Sequence, residues 1–378
     1  MSIPRLVQLN SAADIRSAAS QWDDLWDRSK VTVPVARAEF VAHWIERCAP
    51  GLKVRALAVE QDGRFVAALP LIGGRLKRVM SVGKLPCSNW SWAGDLLLDP
   101  ASDSAGLEVL LTGIRRLGWP LIWIDDAHFD ATHWQHFIAA AQACGFQTHT
   151  RESFRVATVE IDHDWPGYER RLARNLRRQM KRMEQRAKET GDVKLTVYRD
   201  ASPEEIEPLL RRGFAIEDSG WKGSAGTSVL KWPERFAFHL QEATEVAKIG
   251  ALQLSFLEIA DRPIAFEYGW NCKGVYHSFK VGYDEEFAEL TPGQCIRHRL
   301  FERFFNDPTQ RMVDFIGPVV EATSRWSTAT YPVGRVVLSM GGLMGRFVLH
   351  AYRSWWPRIQ RLRRPPTATV ASDPAYSA

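Results

Sequence analysis

The stretch ALQLSFLEIADRPIAFEYGWNCKGVYHSFKVGYD, residues 251–284, decides the fold. It predicts three strands in succession: Ala251–Ile259, Ile264–Asn271 and Val275–Tyr283. Each is rich in aromatic and branched apolar residues, and Ala260-Asp261-Arg262-Pro263 between the first two has the composition of a turn. Helical patterns flank the strands: Pro203–Ile216 and Pro233–Thr244 before them, Gly293–Asn306 after them. A short strand follows at Met312–Ile316. Strands mixed with helices on this scale predict an α/β fold.

Working outward, the first half has the same order of elements. Asp14–Trp26 and Ala36–Arg47 read as helices. Val54–Glu60 and Phe65–Ile72 form a hairpin around Gln61-Asp62-Gly63-Arg64. A glycine-rich region, Gly73–Gly94, separates it from a helix at Leu107–Leu117, a strand at Trp119–Asp125, a helix at Ala131–Ala143 and a strand at Phe154–Ile161. Phe40 and His43 precede the first hairpin as Phe236 and His239 precede the second. The repeated order predicts a duplicated unit, each half a mixed twisted sheet flanked by helices.

Between the halves, Trp165-Pro166 opens the longest predicted helix. Leu172, Leu176, Met180, Met183 and Ala187 recur at steps of three and four and make one apolar stripe. Nine basic residues lie between Arg170 and Lys188, and Gly191 ends the helix. The reading therefore divides the chain into an N-terminal lobe (1–164), a basic linking helix (165–190), a C-terminal lobe with the active site (191–334) and an amphipathic basic segment with a tail (335–378).

The 378 residues carry a formal charge of +5 and are 45% hydrophobic, a composition suited to two folded domains rather than to a disordered chain. The five cysteines, Cys48, Cys87, Cys144, Cys272 and Cys295, are too scattered for a zinc site or a disulfide framework. They read as reduced thiols, and with no leader-like N-terminal stretch the expectation is a cytoplasmic protein. No run of about 18 apolar residues predicts a membrane span. P-loop, G-x-S-x-G, H-E-x-x-H and dinucleotide motifs are missing, so nothing specific supports a kinase, hydrolase or dehydrogenase.

Three stretches resemble a known family. They are Asn175-Leu176-Arg177-Arg178-Gln179-Met180-Lys181-Arg182, the strand pair Pro263–Gly269 and Tyr276–Asp284, and Thr291-Pro292-Gly293-Gln294 with its helix and Val313-Asp314-Phe315-Ile316-Gly317. The resemblance is to the cellulose-biosynthesis-associated (CelD-like) acetyltransferases of the GNAT superfamily, which are similar in plan to the Fem-type aminoacyltransferases with two GNAT-like lobes. It implies a duplicated GNAT-like fold and acyl transfer from acyl-CoA, most simply acetyl-CoA, without a metal. The implied acceptor is an amine or hydroxyl of a small molecule or of a lipid-linked, cell-envelope saccharide precursor. The pyrophosphate motif Q/R-x-x-G-x-G/A is reduced here to Gly293, and Arg325 stands where the family often has Lys. Fem-type members use charged tRNA instead, and a degenerate binding protein of polysaccharide synthesis is a third possibility.

Acyl transfer needs a phosphate-binding helix start, a donor for the developing oxyanion and a base. Thr291, Gly293 and Gln294 are the candidates for donor phosphates, against an ordinary strand-to-helix turn with Pro292 near the first helical position. Glu267 lies in an apolar run between the small residues Ala265 and Gly269; desolvation there would bring it toward the range of a base, unless it is exposed or paired to an Arg. Ser278 and Lys280 share one face of the next strand in regular alternation, and could meet Glu267. His277 is the weaker candidate, since a lone strand histidine is more often structural. The resemblance implies that Tyr283 acts as general acid. Glu217, Asp218, Trp221 and Lys222, in the glycine-rich loop up to Thr227, read as acceptor-binding residues, the alternative being a surface connection anchored by Trp221.

The basic helix could meet tRNA, anionic lipid, or only solvent and acidic neighbours. Beyond Arg335, the clusters Val336-Val337-Leu338, Leu343-Met344 and Phe347-Val348-Leu349 lead into Tyr352, Trp355, Trp356 and Arg358, Arg361, Arg363 and Arg364. Two readings stand: contact with the inner face of an anionic membrane, or packing on the second lobe.

Overall fold

The computed structural model describes residues 2–76, 80–88, 91–102 and 104–341. In chain order the strands are β1 (Arg5–Leu9), β2 (Ala56–Gln61), β3 (Arg64–Leu69), β4 (Ile72–Leu76), β5 (Met80–Lys84), β6 (Leu97–Leu98), β7 (Leu121–Ala127), β8 (Gln147–Glu160), β9 (Val193–Tyr198), β10 (Leu252–Ile259), β11 (Arg262–Cys272), β12 (Val275–Tyr283), β13 (Met312–Pro318) and β14 (Ala329–Ser339). The helices are α1 (Ala12–Ser17), α2 (Ala19–Arg28), α3 (Ala38–Cys48), α4 (Ser104–Arg116), α5 (Thr132–Ala143), α6 (Trp165–Arg171), α7 (Arg174–Thr190), α8 (Pro203–Asp218), α9 (Trp221–Ser224), α10 (Pro233–Lys248), α11 (Pro292–Phe305) and α12 (Glu321–Ser324). The described residues form two compact units: 2–31, 35–155 and 331–341 belong to one, and 32–34 with 156–330 to the other. The fold is α/β, with mixed twisted sheets flanked by helices.

In the first unit β1, β2, β3 and β6 form an antiparallel sheet, and β4, β5, β7 and β14 follow one another in a second. Its core gathers Leu57, Val59, Leu69, Leu110, Ile122, Trp134, Phe137, Val336 and Leu338. Val336–Leu338, expected at a membrane surface or packed on the second lobe, are instead fully buried in β14 of the first unit and pair antiparallel with Ile124, Trp123 and Ile122 of β7. Their apolar side chains stabilise this core and are not available to a membrane surface. The clusters at Leu343-Met344 and Phe347-Val348-Leu349, and the residues from Tyr352 on, lie outside the described residues.

In the second unit the strand order is β8-β13-β12-β11-β10-β9. β9 to β12 are antiparallel neighbours, and β12 runs parallel to β13. Both hairpin turns have two residues at positive φ: Ala260 and Asp261 between β10 and β11, Lys273 and Gly274 between β11 and β12. That backbone hand matches the right-handed twist of the strands and fixes their register. In the first unit Asp62 and Gly63 make the same kind of turn between β2 and β3. Strand, helices, hairpin, further strand, helix and strand recur in both units, as the repeated sequence plan predicts.

The single helix expected from Trp165 is two. Leu172 (φ −61°, ψ 147°) and Ala173 (φ −52°, ψ 136°) are extended and separate α6 from α7. Leu172 stays buried at this break, and its carbonyl accepts from Arg177 Nε. Leu176, Met180, Met183 and Ala187 then pack α7 onto the core with Leu257, Ile264, Phe301 and Trp326. The predicted helix Asp14–Trp26 is likewise split at Ala18 into α1 and α2.

Candidate active site

In the second unit β12 and β13 part after a short parallel ladder. The two strands pair at only three positions among the described residues, Val275 with Met312, Tyr276 with Val313 and His277 with Asp314. Beyond His277, β12 continues to Tyr283, while Pro318 of β13 pairs with Val156 of β8. A parallel pair that parts in this way leaves unsatisfied backbone groups facing each other, so a ligand can take the place of the missing ladder.

A bulge on β12 sorts the side chains at this end. Lys280 is opposite Tyr268, but Ser278 is opposite Gly269, so Phe279 is an extra residue. An inserted residue resets the alternation of faces. Ser278 therefore lies with Glu267 and Tyr276 on the side of α11. Lys280 is turned instead to the side of Tyr268, where its ammonium lies 4.9 Å from the centre of the Phe279 ring. The expected sharing of one face by Ser278 and Lys280 is lost to this single inserted residue.

Glu267 is 2% exposed and accompanied by Arg297 of α11. Burial raises the carboxyl pKa, and the Arg297 charge with the Ser278 and Tyr276 hydroxyls pulls it back. The carboxylate oxygen Oε2 and the Tyr276 hydroxyl are buried with no formed hydrogen bond among the described residues. Arg297 Nη1 donates to the Ala322 carbonyl at 2.9 Å, tying α11 to α12. Sequence reading missed Arg297. The available signal was an arginine between Ile296 and Leu300, on the apolar stripe of the predicted helix.

On the opposite face a second polar group is enclosed by aromatic rings. His239 Nδ1 and Glu242 Oε2 of α10 are 2.7 Å apart, and both residues are buried. Phe214, Phe238 and Phe279 stand around the His239 ring at 5.5–6.0 Å. Desolvation pushes Glu242 up to about 8 and Lys280 down to about 8. Glu242 was not singled out from sequence, and His239 was noted only as part of the repeat; their spacing of three on a predicted helix was the signal.

The loop residues meet the end of β12. Glu217 is 4% exposed; Lys222 Nζ donates to its Oε1 at 2.8 Å and to the Val281 carbonyl at 3.3 Å. The Val229 amide donates to Glu217 Oε2 at 3.1 Å. Asp218 accepts from Ser228 and pairs with Lys231 at 3.4 Å. Glu217, Asp218 and Lys222 are thus engaged with the protein itself, while Trp221 is 40% exposed.

Thr291 caps α11 with a left-handed backbone (φ 38°, ψ 60°), Pro292 takes the first helical position and Gly293 the second. The Gln294 and Cys295 amides bond back to the Thr291 carbonyl at 2.9 and 3.2 Å. The Gly293 amide makes no backbone hydrogen bond among the described residues. A Cβ at Gly293 would meet only the Tyr283 ring, at 3.7 Å, so packing does not require glycine there. Gln294 Oε1 accepts from Trp326 Nε1 at 2.5 Å, which holds its side chain against the core. Thr291 Oγ1 is turned to Met183 Sδ, 2.6 Å away. The structure thus brings Tyr283 and Gly293 together at the helix start, with Ser278 and Glu267 grouped farther in and Lys280 across the sheet. Among the described residues no group of three or more His, Cys, Asp or Glu could hold a metal ion, and no helix is long and apolar enough to cross a membrane.

Residues 174–324 match the family model of the acetyltransferase (GNAT) domain. No curated protein matches the sequence. The fold is similar to the crystal structure of FemX, with 11% identity, a TM-score of 0.58, and coverage of 87% of this chain and 98% of that one. It is also similar to a conserved protein of unknown function from Bacteroides thetaiotaomicron, at 10% identity and a TM-score of 0.51 over 89% of this chain and 99% of that one. The second unit therefore carries a GNAT-type acyltransferase domain.

Proposed function

We propose that the chain moves an acyl group from a CoA thioester to an amine or hydroxyl at the parted ends of β12 and β13. The observation that carries this reading is the end of the β12–β13 ladder at His277 and Asp314, in a domain where the start of α11 follows the end of β12. The donor phosphates would lie at the Gly293 amide and the positive end of the α11 dipole. The thioester would enter between the strands, with backbone amides of β12 facing its carbonyl. Tyr283, beside Gly293, would return a proton to the leaving thiolate. Glu267, assisted by Ser278, would accept the acceptor's proton, its basicity set by burial against the Arg297 charge.

The acceptor would approach past the exposed Trp221 and the loop that Glu217, Asp218 and Lys222 hold in shape; Lys280, across the sheet from Glu267, would not touch the reacting group. A CelD-like role with a lipid-linked saccharide precursor rests on the sequence resemblance, a cytoplasmic setting on the scattered cysteines, and peripheral membrane contact on the aromatic and basic residues beyond Tyr352. A second reading is favoured by the start of α11. One open amide and an occupied Gln294 side chain are a weak grip for a pyrophosphate, and the FemX-like fold is compatible with an aminoacyl donor on tRNA. The test is release of free thiol from acetyl-CoA in the presence of a panel of amine and saccharide acceptors. Acceptor-dependent release supports the first reading. No release, with transfer from charged tRNA, supports the second.

A further inference from the structure

The outward face of α7 has no counterpart in the acyl-transfer chemistry. Leu176, Met180, Met183 and Ala187 are buried, and they fix which side of the helix meets the core. Arg174, Arg178, Arg182 and Arg186 follow at steps of four on the exposed side, with Lys181 among them and Lys188 just beyond. None of these six has an ion pair among the described residues; Glu184, the acidic residue in their midst, is paired with Arg299 at 3.3 Å. Like charges four apart on a helix repel, so the row weakens α7 unless something outside the chain neutralises it.

We infer that this face binds the phosphodiester backbone of a nucleic acid. Successive arginines are about 6 Å apart along the helix axis. A nucleic-acid strand carries a charge about every 3.4 Å, dense enough for each arginine of the row to meet a phosphate. Guanidinium groups suit phosphate oxygens because they donate two parallel hydrogen bonds. A lipid surface fits less well. All four large or small apolar residues of the stripe are in the core, and this face offers no ring or aliphatic side chain to enter a headgroup layer. The surface does not depend on whether the acyl donor is a thioester or an aminoacyl ester.

The test uses the full chain with fluorescein-labelled RNA and DNA duplexes of about 20 base pairs, titrated at several salt concentrations. Each phosphate contact contributes about 0.9 to the slope of log K against log salt. The variant Arg174→Gln/Arg178→Gln/Arg182→Gln/Arg186→Gln is expected to flatten the slope by about three to four and to weaken binding at low salt by at least about 100-fold. Should that variant fold poorly, the pairs Arg174→Gln/Arg178→Gln and Arg182→Gln/Arg186→Gln are each expected to flatten it by about two. A control replaces the exposed Lys53, Arg64, Arg75 and Arg116 by Gln. An unchanged slope, an equal loss in the control, or no duplex binding at low salt overturns the inference. So does binding to phosphatidylglycerol vesicles without binding to either duplex.

Discussion

Gly282 lies so close to Glu217 that a Cβ at position 282 would stand 2.7 Å from the Glu217 Cα. The end of β12 and the end of α8 are therefore in backbone contact, and the loop that follows Glu217 is positioned by it. Gly282→Ala should push the two apart, at a cost of about 1–3 kcal/mol. The Lys222 bonds to Glu217 and to the Val281 carbonyl should be lost. The expected result is a folded protein, melting several degrees lower, with a raised KM for the acceptor and nearly unchanged donor affinity. Thermal melts and steady-state kinetics check it.

Glu267 and Arg297 respond differently to the two ways of removing the carboxylate. Glu267→Ala leaves a buried guanidinium without its counter-charge and should cost about 3–5 kcal/mol. Glu267→Gln keeps shape and polarity, should cost less, and should lower kcat by about 100-fold with donor affinity intact, because a base is lost. A normal rate for Glu267→Gln across the pH range would show that the carboxylate only holds Arg297 and α11 in place.

Glu242 makes stability depend on pH. Burial raises its carboxyl from 4.5 to about 8, so between those values the folded chain binds a proton that the unfolded chain has released. Stability contributed by the protonated group is present below pH 4.5 and falls as pH rises toward 8, by up to about 1.4 kcal/mol per unit. Lys280, lowered from 10.5 to about 8, acts in the next window: there the unfolded chain holds the extra proton, and stability rises with pH. Denaturant melts at pH 5, 6.5 and 8 should show the fall, and Glu242→Gln should flatten it. Equal slopes in both proteins would contradict this.

The strands of residues 251–283 were legible because apolar runs and turn residues there agree with the structure almost residue by residue. The apolar stripe of α7 was legible for the same reason: period and burial coincide. The bulge at Phe279 was not, since an inserted residue leaves the local composition unchanged and shows only in the partner strand's register. The break at Leu172 was hidden because Leu172 continues the apolar spacing while its backbone is extended. Val336–Leu338 looked like the start of an amphipathic segment; only pairing with β7, more than 200 residues away in sequence, identifies it as a core strand. Arg297 needed the partner too, because a lone arginine on an apolar stripe carries no sign of Glu267.

The reactions proposed above all require an acyl donor at the start of α11. Native mass spectrometry of the chain with a panel of acyl-CoAs and charged tRNA, beside Gly293→Trp, tests it most directly. A Cβ at Gly293 has room, so the variant should fold while its indole covers the one open amide. The expected result is a one-to-one acyl-CoA adduct with the natural chain and at least a tenfold loss of it in Gly293→Trp. An adduct of equal strength in both proteins, or no acyl-CoA adduct with the folded natural chain, would contradict it.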